Sequence, residues 1–133
     1  METKKDLINS WIGKADKHVL SAEHELSFSD AVTEAVCFHC QQAVEKFLKA
    51  YLVFHGVSYT KTHEIGELIT KCEKTDREIS VLKDEADKLT DYAIEIRYPE
   101  EWSEPSLEEA KEAFEIAKKI KEYVLSRISS DDK

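Results

Sequence analysis

The chain is poor in the residues that punctuate a fold. Its 133 residues include three glycines and two prolines. Folds built from many short strands need tight turns, which draw on those two residues. The scarcity argues against such folds and against flexible linkers, and it favours long helices. The patterns G-x-x-x-x-G-K-[ST], G-x-G-x-x-G and G-x-S-x-G are all absent, so phosphate-cradling glycine loops and nucleophile elbows are excluded. No apolar run approaches the roughly 18–20 residues that span a bilayer. The opening METKKDLINSW has no apolar signal-peptide core. A cytoplasmic protein without membrane attachment is expected. Three cysteines, an odd number, suit free thiols in a reducing compartment. The only side-chain amides are Asn9, Gln41 and Gln42. With abundant Lys and Glu, that pattern suits a heat-adapted source.

What is present is apolar residues enough for a core, 41% of the chain, and charge, 35%. The length suits one domain over residues 1–133, with a frayed tail at about 129–133. The net charge of −9 opposes general DNA binding, which draws on a basic excess. The charge is uneven. Between Phe38 and His63 the charged residues are Lys46, Lys49 and Lys61 against Glu45 alone. A small basic region on an acidic body can accept a compact anion.

Apolar positions recur at spacings of three and four, and strict alternation is absent. The spacing predicts a helix over about 3–26, with Leu7, Trp11, Ala15, Val19, Ala22 and Leu26 on one face. A second follows over about 30–55, capped by Ser29 or Asp30 and ended by Gly56. A short helix is expected over about 63–74, with Ile65, Leu68, Ile69 and Cys72 inward. TDRE at 75–78 has capping-box spacing and opens a helix over about 77–97. Pro99 disfavours helical geometry at Tyr98 and closes it. SLEE at 106–109 is a second capping box, opening a helix to about 128. The sum is an all-α, antiparallel up-and-down bundle of four long helices and one short one.

Four constellations carry candidate chemistry. CFHC at 37–40 falls inside a helix rather than at its N-terminus, where the dipole would activate a thiol. A structural zinc would need a second Cys/His pair, so core packing is expected, with no metal and no cofactor. THEIGE at 62–67 lacks the second histidine of a zinc protease. His63 is either a simple helix-start residue or, with Lys61, an anion contact beside free helix N–H groups. In QQAVEKFLKA at 41–50, Gln42, Glu45, Lys46 and Lys49 are three or four apart and share a face. That face is either solvated or built around an amide that must both donate and accept. Finally, Arg97 stands at a helix end beside Tyr98. It either compensates the dipole or offers its guanidinium to a phosphate, with Tyr92, Tyr98 or Trp102 to stack.

FHCQQAVEKFLKAYLVFHG, TKTHEIGELI and LTDYAIEIRYP together resemble the HEPN family, the higher-eukaryote and prokaryote nucleotide-binding domains, over about residues 5–125. The resemblance implies a compact helical bundle, a homodimer, and a standalone prokaryotic version encoded beside a small nucleotidyltransferase in a toxin–antitoxin-like pair. Many relatives are metal-independent ribonucleases whose site is an arginine followed after four to six residues by a histidine. Here those positions after Arg97 are Trp102, Ser103 and Glu104, and neither Arg77 nor Arg127 has the histidine. No catalytic residue is therefore assigned. The expected function is a non-catalytic module that binds a nucleotide or RNA phosphate, or the nucleotidyltransferase, through a groove between the helices predicted over about 30–55 and 77–97. Arg97, Lys46, Lys49 and His63 would supply charge, Gln42 a hydrogen bond, and Tyr98 or Tyr92 a stacking face. The alternatives are a degenerate ribonuclease with His63 in the missing histidine's place, and a purely structural dimerisation module.

Overall fold

The computed structural model describes residues 3–59, 61–93 and 103–131. The bundle is all-α, and its long helices are α1 (Lys4–Leu26), α2 (Thr33–Phe54) and α5 (Leu107–Asp131). The short α3 (Ile65–Glu73) lies between α2 and the segment that precedes α5. Helix α2 is the axis of the fold. It packs on α1, α5 and α3, and fourteen of its 22 residues are buried. Val36, Cys40, Val44, Phe47, Leu48 and Tyr51 form its part of the core. A helix apolar on so many sides is stable only when neighbours cover it.

Local chemistry sets the helix ends. Thr3 and Asp6 form a reciprocal capping box at the start of α1. At the far end of α2, Gly56 takes φ 71°, a left-handed value that a glycine adopts without steric cost. The Gly56 N–H reaches the Val53 carbonyl at 3.0 Å and the Val57 N–H the Leu52 carbonyl at 2.9 Å. This is the 5→2 and 6→1 pairing of a Schellman end. The predicted box at Ser106 and Glu109 is present, with the Ser106 N–H on Glu109 Oε1 and the Glu109 N–H on Ser106 Oγ.

Three local expectations are corrected. Neither Ser29 nor Asp30 caps α2. The N-cap is Val32, which lacks a side-chain cap. Its N–H instead donates to Glu25 Oε2 at 3.1 Å, and Thr33 Oγ1 donates to the Pro105 carbonyl at 2.7 Å. Bonds to distant residues have displaced the local cap. The helix expected from 77 is also broken. Residues Arg77–Leu82 form a 3₁₀ segment, α4 covers only Lys83–Asp87, and Thr90–Ala93 is a second 3₁₀ turn. Its stretch from 94 to 97 lies outside the described residues. Asp76, not Thr75, caps the first piece.

The break has a physical reason. Asp87 and Thr90 serve another helix. The Gly66 N–H donates to Asp87 Oδ1 at 2.8 Å, the Ile65 N–H to Thr90 Oγ1 at 3.0 Å, and Thr90 Oγ1 to Asp87 Oδ1 at 2.7 Å. The start of α3 is thus capped from across the fold. The chain at 87–90 is drawn into i→i−3 turns, Leu89 N–H to the Ala86 carbonyl and Tyr92 N–H to the Leu89 carbonyl.

A second anchor is Asp76, only 8% exposed. Its Oδ2 accepts from Tyr51 Oη and from Tyr123 Oη, each at 2.6 Å, and its Oδ1 accepts from the Glu78 N–H and faces Arg127. One carboxylate therefore ties α2, the 3₁₀ start and α5 together.

Candidate anion-binding face

The sequence leaves open whether the two adjacent glutamines are solvated or must donate and accept. Gln41 is fully buried. Its Nε2 donates to the His63 carbonyl at 3.0 Å and lies 3.4 Å from Glu45 Oε1. Its Oε1 accepts from Gln42 Nε2 at 2.7 Å, and Gln42 Oε1 accepts from Lys46 Nζ at 2.8 Å. An ammonium only donates, so the whole chain of bonds runs one way, from Lys46 through Gln42 and Gln41 to His63. Each amide uses both of its ends. The glutamine amide supplies a donor and an acceptor at the end of a long side chain, which asparagine is too short to extend along the helix.

Glu45 is the hub beside this chain. It is 2% exposed, and a carboxylate so deeply buried is costly unless its lone pairs are filled. His63 Nδ1 sits 2.6 Å from Oε1 and Lys49 Nζ 3.3 Å from Oε2. Lys49 is itself buried. Its ammonium lies 5.4 Å from the centre of the Trp11 ring and 5.9 Å from that of Tyr59, in cation–π range. The Trp11 Nε1–H donates to Tyr59 Oη at 3.0 Å, which locks the two rings edge to face. Lys14, one turn along α1, places its ammonium 5.7 Å from the Trp11 ring.

Positive charge is crowded here. Burial pulls the Lys46 ammonium below its usual pKa; Glu45 opposes this, while Lys49 and Lys14 add to it. His18 and His39 lie beside them, with their Nδ1 atoms 2.9 Å apart. Such a contact needs one Nδ1 protonated and the other bare. Burial, then the Lys46 charge, then His39 push His18 down to about 4, so it stays neutral at ordinary pH.

The structure thus brings four of the expected residues, Gln42, Lys46, Lys49 and His63, into one network. Tyr92 is elsewhere. Its hydroxyl meets the Cys37 thiol, and its ring lines a groove of about 310 Å³ against α5. Glu109, Glu112 and Lys88 edge that groove, and Lys88 is paired with Glu112, so among the described residues its lining offers an anion no unpaired cation. Arg97 and Tyr98 lie outside the described residues. The expectation of free N–H groups at the start of α3 is corrected, because Asp87, Thr90 and Thr62 take them. Cys37, Cys40 and Cys72 are buried in the core, and burial raises all three thiols.

Sequence reasoning missed Trp11, Lys14, His18 and His39. A signal was available. Residues 11, 14 and 18 on α1, and 39, 42 and 46 on α2, follow the same spacing of three and then four. Each triplet lies on one helical stripe, and α1 and α2 pack as adjacent helices.

The fold and this face can be set against known proteins. The model of the HEPN domain family matches residues 8–128. The chain belongs to the HEPN family. Two solved structures share the fold of this HEPN domain. TT1696 from Thermus thermophilus is 28% identical with a TM-score of 0.74, covering 90% of this chain and 96% of its own. ST0689, described as an archaeal HEPN homologue, is 24% identical with a TM-score of 0.73, covering 91% and 97%. No curated protein matches. Among the described residues of this HEPN chain, no helix is long and apolar enough to cross a membrane.

Proposed function

We propose that this HEPN domain is a non-catalytic module that binds the phosphate of a nucleotide or RNA on the face formed by α1, α2 and the residues just before α3. One observation carries the reading. Lys14, Lys46 and Lys49 gather around the buried carboxylate of Glu45 in a chain of net charge −9. The Lys14 and Lys49 ammoniums lie 5.7 and 5.4 Å from the centre of the same Trp11 ring, and Lys46 is held by Gln42 one turn from Lys49 on α2. Like charges held together are unfavourable unless an anion compensates them. Lys46 is half-buried and fixed by Gln42, so little side-chain entropy remains to be lost on binding. His63 extends the face toward α3, and Arg97 with Tyr98 follow the 90–93 turn in sequence.

In this reading the domain works as a homodimer beside a small nucleotidyltransferase, as one half of a toxin–antitoxin-like pair. Isothermal titration with nucleoside mono-, di- and triphosphates and short RNAs tests it, using wild type, Lys46→Gln and Arg97→Ala. Saturable binding that weakens at least tenfold in Lys46→Gln is expected. Equal affinity in wild type and Lys46→Gln would remove the support for this face. A ligand affected only by Arg97→Ala would move the site away from it.

A further inference from the structure

The histidine at this face is held in a way that binding phosphate alone does not require. The His63 side chain is 69% exposed, yet it is fixed at two points. Its carbonyl accepts from Gln41, and its ring Nδ1 lies 2.6 Å from the Oε1 of a carboxylate that is 3% exposed. An ionised carboxylate only accepts, so Nδ1 carries the proton. In the neutral ring, Nε2 then keeps its lone pair and is turned away from Glu45. A buried carboxylate bound to one nitrogen of an exposed imidazole fixes its tautomer, an arrangement by which proteins aim the other ring nitrogen at a partner.

Resting on the anion-binding reading above, we infer that His63 Nε2 is a hydrogen-bond acceptor that selects phosphate esters bearing a free hydroxyl. The division of labour follows from the donor inventory. Lys14 and Lys46 offer only N–H donors and suit phosphate oxygens. The phosphate of a fully ionised monoester has no proton to give Nε2, whereas a sugar hydroxyl has one. Glu45 acts through His63 as a positioning residue and does not itself touch the ligand. A site with a fixed acceptor discriminates against a ligand that lacks the matching donor, because the acceptor is then left unpaired.

The test compares adenosine 5′-monophosphate, its 2′,3′-dideoxy analogue, ribose 5-phosphate and inorganic phosphate, by titration calorimetry on wild type and His63→Ala. In the variant Glu45 keeps Lys49 and the Gln41 amide as partners, and a melting curve of His63→Ala checks its fold before titration. The expected result is that the ribose form binds at least fivefold more tightly than the dideoxy form, and that His63→Ala brings the ratio close to one. Comparable binding of ribose 5-phosphate would place the recognition on the sugar phosphate alone. Binding only of the adenosine compound would add a base contact to the hydroxyl one. A ratio near one in wild type, or an unchanged ratio in His63→Ala, overturns the inference while leaving the phosphate site intact. If none of the four binds, the phosphate reading fails and this one with it. An independent readout is the ¹⁵N spectrum of the His63 ring at alkaline pH. A protonated Nδ1 and a bare Nε2 are expected, and Glu45→Gln should mix the two tautomers. The opposite tautomer in wild type would contradict the assignment without any ligand present.

Discussion

Replacing Asp76 should damage this protein more than replacing any other residue outside the apolar core. The carboxylate is 8% exposed and accepts from Tyr51 and Tyr123 at 2.6 Å each, from the Glu78 N–H at 3.2 Å, and from Arg127 at 3.5 Å. Asp76→Ala removes a cap worth about 1 kcal/mol. It also strands the Tyr51 hydroxyl in the core, and an unsatisfied buried donor costs about 1–3 kcal/mol. Relief from burying a charge offsets part of this, and the net loss expected is about 2–3 kcal/mol. For a chain of this size that is a fall in Tm of roughly 6–12 °C. Tyr123→Phe, which removes one of the hydroxyls, should cost about 1–2 kcal/mol.

The same carboxylate gives a pH signature. Burial acts to raise the Asp76 pKa, but the Tyr123 and Tyr51 hydroxyls, Arg127 and the Glu78 N–H outweigh it and hold the group below the usual aspartate value of 3.8. A depressed folded-state pKa means that the unfolded chain takes up the proton first. The stabilisation is therefore fully present above the unfolded value and is lost as pH falls through the folded one. Urea melts from pH 7 down to pH 2.5 should show an acid limb in wild type that is shallower in Asp76→Asn. A loss under 1 kcal/mol in Asp76→Ala, or an identical acid limb in Asp76→Asn, would refute the anchor.

Further predictions concern the joints of the fold and its thiols. A Cβ at Gly66 would lie 2.8 Å from Asp87 Oδ1, so Gly66→Ala must push Asp87 off the α3 terminus. The expected cost is about 1 kcal/mol in wild type, turning to a gain in an Asp87→Ala background, where alanine's helix propensity acts alone; a double-mutant cycle by chemical denaturation checks this. Burial raises Cys37 to about 11 and Cys72 to about 12. All three thiols should therefore react with a disulfide reagent at pH 8 far more slowly in the native protein than in denaturant, and fast native labelling of any one would contradict the core placement.

The parts of this structure readable from sequence are those set by near neighbours. Helices α1, α2, α3 and α5 follow from apolar spacing, Gly56 from its need for positive φ, and Ser106 with Glu109 from capping spacing. The failures lie where a side chain serves a distant element. Asp87 and Thr90 look like ordinary helical positions, yet they cap α3, and that duty breaks the helix expected from 77. Asp76 looks like one residue of a local cap, yet it joins three elements. At the site, the paired glutamines and the lysines of α2 were legible because they share one stripe. Lys14, His18 and Trp11 were not, since their relevance arises only when α1 is laid against α2.

Chemical-shift mapping of the ¹⁵N-labelled domain during titration with adenosine 5′-monophosphate tests the central claim most directly. The account predicts that the largest changes fall on Lys14, His18, Gln42, Lys46 and His63, that they saturate together, and that they shrink as salt is raised. Changes centred on the Lys88, Tyr92 and Glu112 groove, or no saturable change anywhere, would contradict it.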